Sequence, residues 1–241
     1  MRGAALLLSP LLVAGCATHR VTASAPASPA ALAIKWVRTS AEYRALATQI
    51  YREAAVVVAR RALARAPRTW AVILDADETL LDNSLEAKER AAEGRRFEPS
   101  TWARFVKRRV STAVPGARPF LEAVRAHGGV IAVVTNRDEH LCHDTRENLR
   151  AEGLPFDVVL CRPQNGPSEK GPRFGRVASG EATPGAGPLE VIAFVGDNIL
   201  DFPGGSQALR DAPETSLADF GERFFLLPNP VYGSWERNPE R

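Results

Sequence analysis

Carboxylates and hydroxyls follow apolar runs at three places in this 241-residue chain. The run Trp70-Ala-Val-Ile-Leu ends in Asp75-Ala76-Asp77-Glu78-Thr79. A second run ends in Thr135-Asn136-Arg137, and a later one in Gly196-Asp197-Asn198, with Asp201 four residues on. A lone Asp-x-Asp is equally well an Asx-turn or a helix N-cap; three such ends point to a shared site. The chemistry they suit is phosphoryl transfer. A carboxylate that attacks phosphorus, ringed by negative oxygens, needs a cation beside it. Asp75 and Asp197 can share Mg²⁺, a hard ion that takes oxygen ligands. Asp77, two residues beyond the nucleophile, is placed to protonate the leaving oxygen and later to activate water. The Thr135 hydroxyl, the Asn136 backbone N–H and the Lys170 ammonium can hold the transferring phosphate. Lys170 is one of only four lysines in the chain and opens a helical stretch, although any single lysine is ordinarily a solvated one.

The elements that must position these groups are legible as alternating patterns. Strand-length apolar runs occur at 70–75, 130–135, 156–161, 191–196 and 223–227. Helix-like stretches lie at 117–127, 138–152 and 170–180. This alternation predicts an α/β fold, a Rossmann-like parallel sheet with helices on both faces. The site then falls beyond the carboxyl ends of the strands. Residues 31–66 carry apolar side chains at helical spacing and stop at Pro67, which predicts one or two helices against the main body. Residues 84–114 interrupt the alternation with a polar, Arg-rich helical cap insert containing Trp102 and Phe105. The Gly/Pro-rich tract 161–188 reads as loop around one short helix, and no internal repeat is visible.

Composition narrows the class. Charged residues make up 24% of the chain with a net charge of +3, neither a disordered acidic chain nor a basic nucleic-acid stripe. Three cysteines are too few for a disulfide scaffold and lack zinc spacing. At the N-terminus, Arg2 precedes a short apolar run ending in Val13-Ala14-Gly15-Cys16. The run is too short for a permanent membrane span and reads as a secretory signal. Small residues before Cys16 resemble a bacterial lipobox, which implies cleavage after residue 15 and acylation of Cys16; the plain alternative is a signal peptide with a chance cysteine. Residues 16–30 then form a flexible tether and 31–241 the catalytic domain.

The longer motifs resemble a known family. The stretch from Asp75 to Ser84, then Val-Thr135-Asn136-Arg137, Lys170-Gly-Pro-Arg173-Phe and Gly196-Asp197-Asn198-Ile-Leu-Asp201-Phe, look like the four motifs of the haloacid dehalogenase superfamily. More narrowly they are similar to the class C acid phosphatases, the secreted lipoprotein 5'-nucleotidase group. Trp102, Pro115-Gly116-Ala117 and the stretch from Leu227 to Glu236 match that group as well. The resemblance covers roughly residues 35 to 237. It implies a Mg²⁺-dependent phosphomonoesterase with a phosphoaspartate on Asp75, Asp77 as acid and base, and a small phosphomonoester, such as a nucleoside monophosphate, as substrate. The metal set it implies is Asp75, the Asp77 carbonyl and Asp197, with Asp201 nearby through water. It also implies a lipoprotein of the cell envelope, held by an acyl group on Cys16, with the outer membrane facing the periplasm preferred over the inner.

One departure stands out: the family usually carries an aromatic where this chain has Glu86. Glu86 is therefore expected at the substrate pocket, beside Trp102 and Tyr232, with less preference for nucleotides. Tyr232 and Trp235 either stack a nucleoside or close the core. His140, Cys142 and His143 lack a fourth ligand and read as helix-surface residues rather than a metal cluster. The arginines at 95–96 and 104–109 read as a solvated helix face or as a steering field for anions. Cys142 and Cys161 both fall at the carboxyl edge of the sheet, where they either pair in an oxidising compartment or remain two buried thiols. Two other outcomes fit the same fold: a non-catalytic lipoprotein binding module, or a phosphotransferase that passes the phosphoryl group to another alcohol.

Overall fold

A computed structural model describes residues 28–240. Ser28 accepts a hydrogen bond from the Ala31 N–H and Pro29 fits the first turn, so α1 (Pro29–Thr39) begins inside the expected tether. Two residues expected in the tether are thus helical and Ser28 caps them; residues 16–27, Cys16 included, lie outside the described residues. Ser40 ends α1 and caps α2 (Ala41–Ala62) through the Tyr43 N–H. Tyr43, Ala47, Tyr51, Ala54 and Val58 form the buried stripe of α2, at three- and four-residue spacing.

The main sheet has the order β5-β4-β1-β6-β7 and every pairing is parallel. Its strands are β1 (Trp70–Leu74), β4 (Val130–Asp138), β5 (Val158–Arg162), β6 (Glu190–Gly196) and β7 (Phe224–Leu226). All five β1 residues are buried, because helices cover both faces. Trp70, Val72 and Leu74 join a core with α2, α5 (Ala117–Ala126) and α6 (Cys142–Ala151). Ala71 and Ile73 point the other way, into a core with α7 (Gly171–Ala178), Phe194, Phe202 and Phe224. Gly116 precedes α5 at φ +91°, and a Cβ there would lie 3.1 Å from Tyr51. A glycine is needed for both the turn and the approach of α5 to α2.

Two expectations change in detail. β5 starts at Val158 rather than 156, and β4 runs on to Asp138, where it regains register with Arg162 after an irregular stretch. The cap insert is not purely helical. After α3 (Ser84–Ala92) and α4 (Pro99–Arg108), β3 (Thr112–Ala113) pairs antiparallel with β2 (Leu81–Asp82). Backbone hydrogen bonds therefore lock both ends of the cap to the loop that follows β1.

Cys142, opening α6, and Cys161, in β5, are joined as a disulfide with Cα atoms 5.9 Å apart. The bridge ties α6 to the edge strand. For a loop of this size the chain-entropy model gives about 3 kcal/mol of stabilisation. Mass measurement after alkylation is expected to find both sulfurs blocked until reductant is added. Cys142→Ser with Cys161→Ser is expected to lower Tm by several degrees; two alkylated thiols in protein matured under oxidising conditions without reductant would contradict the bridge.

Candidate active site

The Asp75 N–H donates to the Val195 carbonyl of β6 at 3.0 Å, so the sheet's own hydrogen bonding carries Asp75 to the carboxyl edge. Asp197 and Asp201 stand on the turn after β6. There the Asn198 side chain accepts from the Leu200 N–H (3.1 Å) and Asp201 Oδ2 accepts from the Asn198 N–H (3.0 Å). A Cβ on Gly196 would lie 2.4 Å from the Asp201 Cβ, so this approach requires glycine. Asp75, Asp197 and Asp201 each offer an oxygen within 4.8 Å of the others. Lys170 donates to Asp75 Oδ1 and, at 2.6 Å, to Asp201 Oδ1. Asn229 Nδ2 and the Thr79 hydroxyl donate to the two oxygens of Asp197, at 2.8 and 3.2 Å.

Two buried carboxylates and a half-buried one, Asp197, against one ammonium leave an excess of negative charge. Burial raises the Asp75 carboxyl, Lys170 pulls it down, and Asp201 and Asp77 raise it again; the balance leaves it pushed up to about 7. Burial, then Asp201 and Asp75, hold Asp197 well above the usual carboxylate range. Burial works against the charged form of Lys170, but Asp201 and Asp75 outweigh it and keep its pKa above the ordinary lysine value. An all-oxygen donor set with surplus negative charge fits a divalent cation. His140 and His143 join no such cluster among the described residues, and Cys142 is spent in the disulfide.

Asp77 belongs to a second group. Its Oδ1 accepts from Asn83 Nδ2 (2.8 Å) and Arg137 Nε (2.9 Å), and Arg137 Nη2 lies in ion-pair contact at 2.8 Å. Asn83 is held in turn by Glu78 and by the Ser111 hydroxyl (2.6 Å). Thr135 is fully buried, and its Oγ1 accepts from the Arg137 N–H at 3.1 Å. Arg173 donates to the Thr135 carbonyl and, at 2.6 Å, to Asn136 Oδ1, which fixes the end of β4 against α7.

Asp77, Glu86, Trp102, Asn136 and Tyr232 line a cleft of about 440 Å³ under the cap, with Phe97 and Arg90 beside them. Glu86 does not point to open solvent. It is buried and paired with Arg90 at 3.1 Å. Trp102 stacks near Phe105 and also meets Phe97. Tyr232 and Trp235 are 37% and 44% exposed, so neither closes the core. The Tyr232 hydroxyl instead donates to Glu78, which burial, Asp77 and Asp197 hold well above its usual pKa. On the cap, Arg108 and Arg109 are tied to Glu89 and Asp144, which cancels much of any steering field.

A family model for the HAD superfamily, subfamily IIIB acid phosphatases, matches residues 13–235. The chain belongs to that family. Two solved structures of the class C acid phosphatase from Bacillus anthracis are similar to it. One, with tungstate bound, is 28% identical with a TM-score of 0.76; the other is 29% identical with a TM-score of 0.76. Each comparison covers 86% of this chain and 86% of the other. This acid phosphatase is thus a phosphomonoester hydrolase on a parallel α/β sheet, and Asp75, Asp77, Thr135, Lys170, Asp197 and Asp201 all converge on one edge of that sheet. Glu78, Asn83, Arg173 and Asn229 were not singled out as site residues from the sequence. Arg173 had a signal, since one helical turn separates it from Lys170. Asn229 had none beyond its place in the late Leu-Pro-Asn-Pro stretch.

The raised carboxyls bind protons in the folded chain at pH values where the unfolded chain has released them. Between about pH 4 and pH 7, the stability of chelator-treated protein must therefore fall as pH rises. Tm in EDTA is expected to be higher at pH 5 than at pH 7, with a smaller difference for Asp75→Asn. A saturating divalent cation binds the native state and is expected to raise Tm most at pH 7. A Tm in EDTA that rises from pH 5 to pH 7 would contradict this charge balance.

Proposed function

We propose that this acid phosphatase is an exported, Mg²⁺-dependent enzyme that hydrolyses phosphomonoesters through a phosphoaspartate on Asp75. The observation that carries the reading is the division of labour between the two aspartates. Asp75 sits among surplus carboxylates with Lys170, while Asp77 sits apart, at the mouth of the cleft. Asp75, the Asp77 carbonyl, Asp197 and Asp201 would hold Mg²⁺, which supplies positive charge between nucleophile and phosphate.

Lys170 holds Asp75 Oδ1, which leaves Oδ2 to attack phosphorus. As the P–O bond to the leaving group breaks, its electron pair stays on the leaving oxygen, which takes a proton from Asp77. The Thr135 hydroxyl, the Asn136 N–H and Lys170 bind the phosphoryl oxygens. Asp77 then removes a proton from water, the water oxygen attacks phosphorus, and the Asp75 carboxylate departs from inorganic phosphate. Export and acylation at Cys16 rest on the N-terminal sequence. Among the described residues no helix is long and apolar enough to cross a membrane.

Asp75→Asn is expected to abolish turnover, because an amide cannot form the acyl phosphate. Asp77→Asn is expected to cost on the order of 10²-fold or more. EDTA is expected to silence the enzyme and Mg²⁺ to restore it. Near wild-type activity in purified Asp75→Asn, or activity that survives metal removal, would refute the assignment.

The cleft suits planar leaving groups, nucleosides among them, because the aromatic side chains of Trp102, Phe97 and Tyr232 line it. Glu86 removes one further face and introduces an ion pair with Arg90. The enzyme is therefore expected to discriminate only weakly between nucleotides and simple esters. Base–aromatic stacking is worth about 1–3 kcal/mol by alanine substitution. Glu86→Tyr is expected to raise kcat/KM for nucleoside monophosphates more than for a small aliphatic phosphate; equal change for both would remove Glu86 from the pocket.

A further inference from the structure

We infer that Arg137 is a positioning residue which, together with Asn83, pins one oxygen of the Asp77 carboxylate and so presents the other to the leaving group. The inference rests on the reading of Asp77 as acid and base.

The hydrogen bonds to the Asp77 carboxylate, from Arg137 Nε (2.9 Å) and Asn83 Nδ2 (2.8 Å), both fall on Oδ1, and Arg137 Nη2 makes an ion-pair contact with the same oxygen at 2.8 Å. Among the described residues, none falls on Oδ2. A carboxylate that is free in water turns about its Cβ–Cγ bond and offers either oxygen. Here a turn would break two hydrogen bonds and an ion-pair contact at once, since Nε and Nη2 of the planar guanidinium both face the same oxygen. Oδ2 is left as the oxygen that can carry the transferred proton.

Arg137 has no freedom of its own. Its side chain is fully buried. Nη2 donates to Asn83 Oδ1 at 3.1 Å, Nη1 to the Thr145 hydroxyl at 3.3 Å, and the guanidinium lies 5.4 Å from the Trp102 ring. The backbone N–H is tied to Thr135. Burying a guanidinium is costly, and a surface lysine could neutralise Asp77 at less cost. What the buried fork adds is direction. In the first half-reaction the Oδ2–H bond breaks and its proton goes to the leaving oxygen, while the P–O bond breaks and the new bond forms from phosphorus to Asp75. In the second half-reaction Oδ2 recovers a proton from the attacking water.

A residue that orients the acid matters most for substrates that need the acid. The test compares kcat/KM for glycerol phosphate, whose leaving alkoxide must be protonated, with that for 4-nitrophenyl phosphate, whose leaving phenolate needs little help. Both are measured on one preparation, so the ratio is independent of the folded fraction. Arg137→Met is expected to lower the glycerol phosphate value by about tenfold or more relative to the aryl ester, within the range of general-acid effects. The same substitution in Asp77→Asn is expected to leave the ratio where Asp77→Asn alone puts it. Should Arg137→Met not accumulate as folded protein, Asn83→Ala removes the other donor to Oδ1 and is expected to shift the ratio in the same direction.

Equal losses on both esters in the anchor variants, while Asp77→Asn alone shifts the ratio, would overturn the inference and leave the role of Asp77 standing. A shift by Arg137→Met that persists undiminished in Asp77→Asn would also overturn it. If Asp77→Asn itself depresses both esters equally, the acid–base reading fails and the anchoring role falls with it.

Discussion

Uncompensated negative charge at the carboxyl edge of the sheet is the constraint on which the rest of the structure depends. Asp75, Asp197 and Asp201 are brought close together, the first and last buried and Asp197 half-buried, with a single lysine between two of them. Repulsion and desolvation both oppose such an arrangement. It persists because β1, β6 and the turn after β6 are held by the all-parallel ladder and by the packing of both cores. The stability of the scaffold is what keeps three carboxylates and one ammonium together.

A second charge centre is built differently. Asp77 lies only two residues from Asp75, yet its carboxylate is turned to a neutralising fork from β4 and an amide from the start of the cap. One carboxylate is left short of positive charge and the other is fully partnered on one oxygen. Two neighbouring aspartates thus acquire different chemical characters from their surroundings alone. Tyr51 adds to this from the opposite side, since its buried hydroxyl donates to the Thr79 carbonyl at 2.6 Å and ties the loop to α2.

The cap joins the two centres to the cleft beneath it. Its ends are fastened by the β2–β3 pairing, and Ser111 and Asn148 exchange hydrogen bonds that tie it to α6. The disulfide fastens α6 to β5 in turn. Trp102, on the cap, therefore meets Arg137, on the core, in a defined geometry. An aromatic side chain of the cleft and the guanidinium that holds Asp77 are neighbours.

Much of this was determined by the sequence alone. Continuous apolar runs mark buried parallel strands because both sheet faces are covered, and Asp75, Thr135 and Asp197 follow those runs directly, so their place at one edge was readable. Helix starts were less clear: Ser28 and Pro29 extend α1 into a stretch whose composition reads as tether. The tertiary structure alone decided the partners. Arg137 reaches Asp77 across 60 residues, Lys170 reaches Asp75 across 95, and Tyr232 reaches Glu78 across 154. It also decided that Cys142 and Cys161 bond, and that Glu86 turns into the cleft toward Arg90. Periodicity and strand-end chemistry are local and leave a trace in the order of residues. The direction of a buried charged side chain depends on which distant strand the sheet places beside it, and here that follows from the order β5-β4-β1-β6-β7.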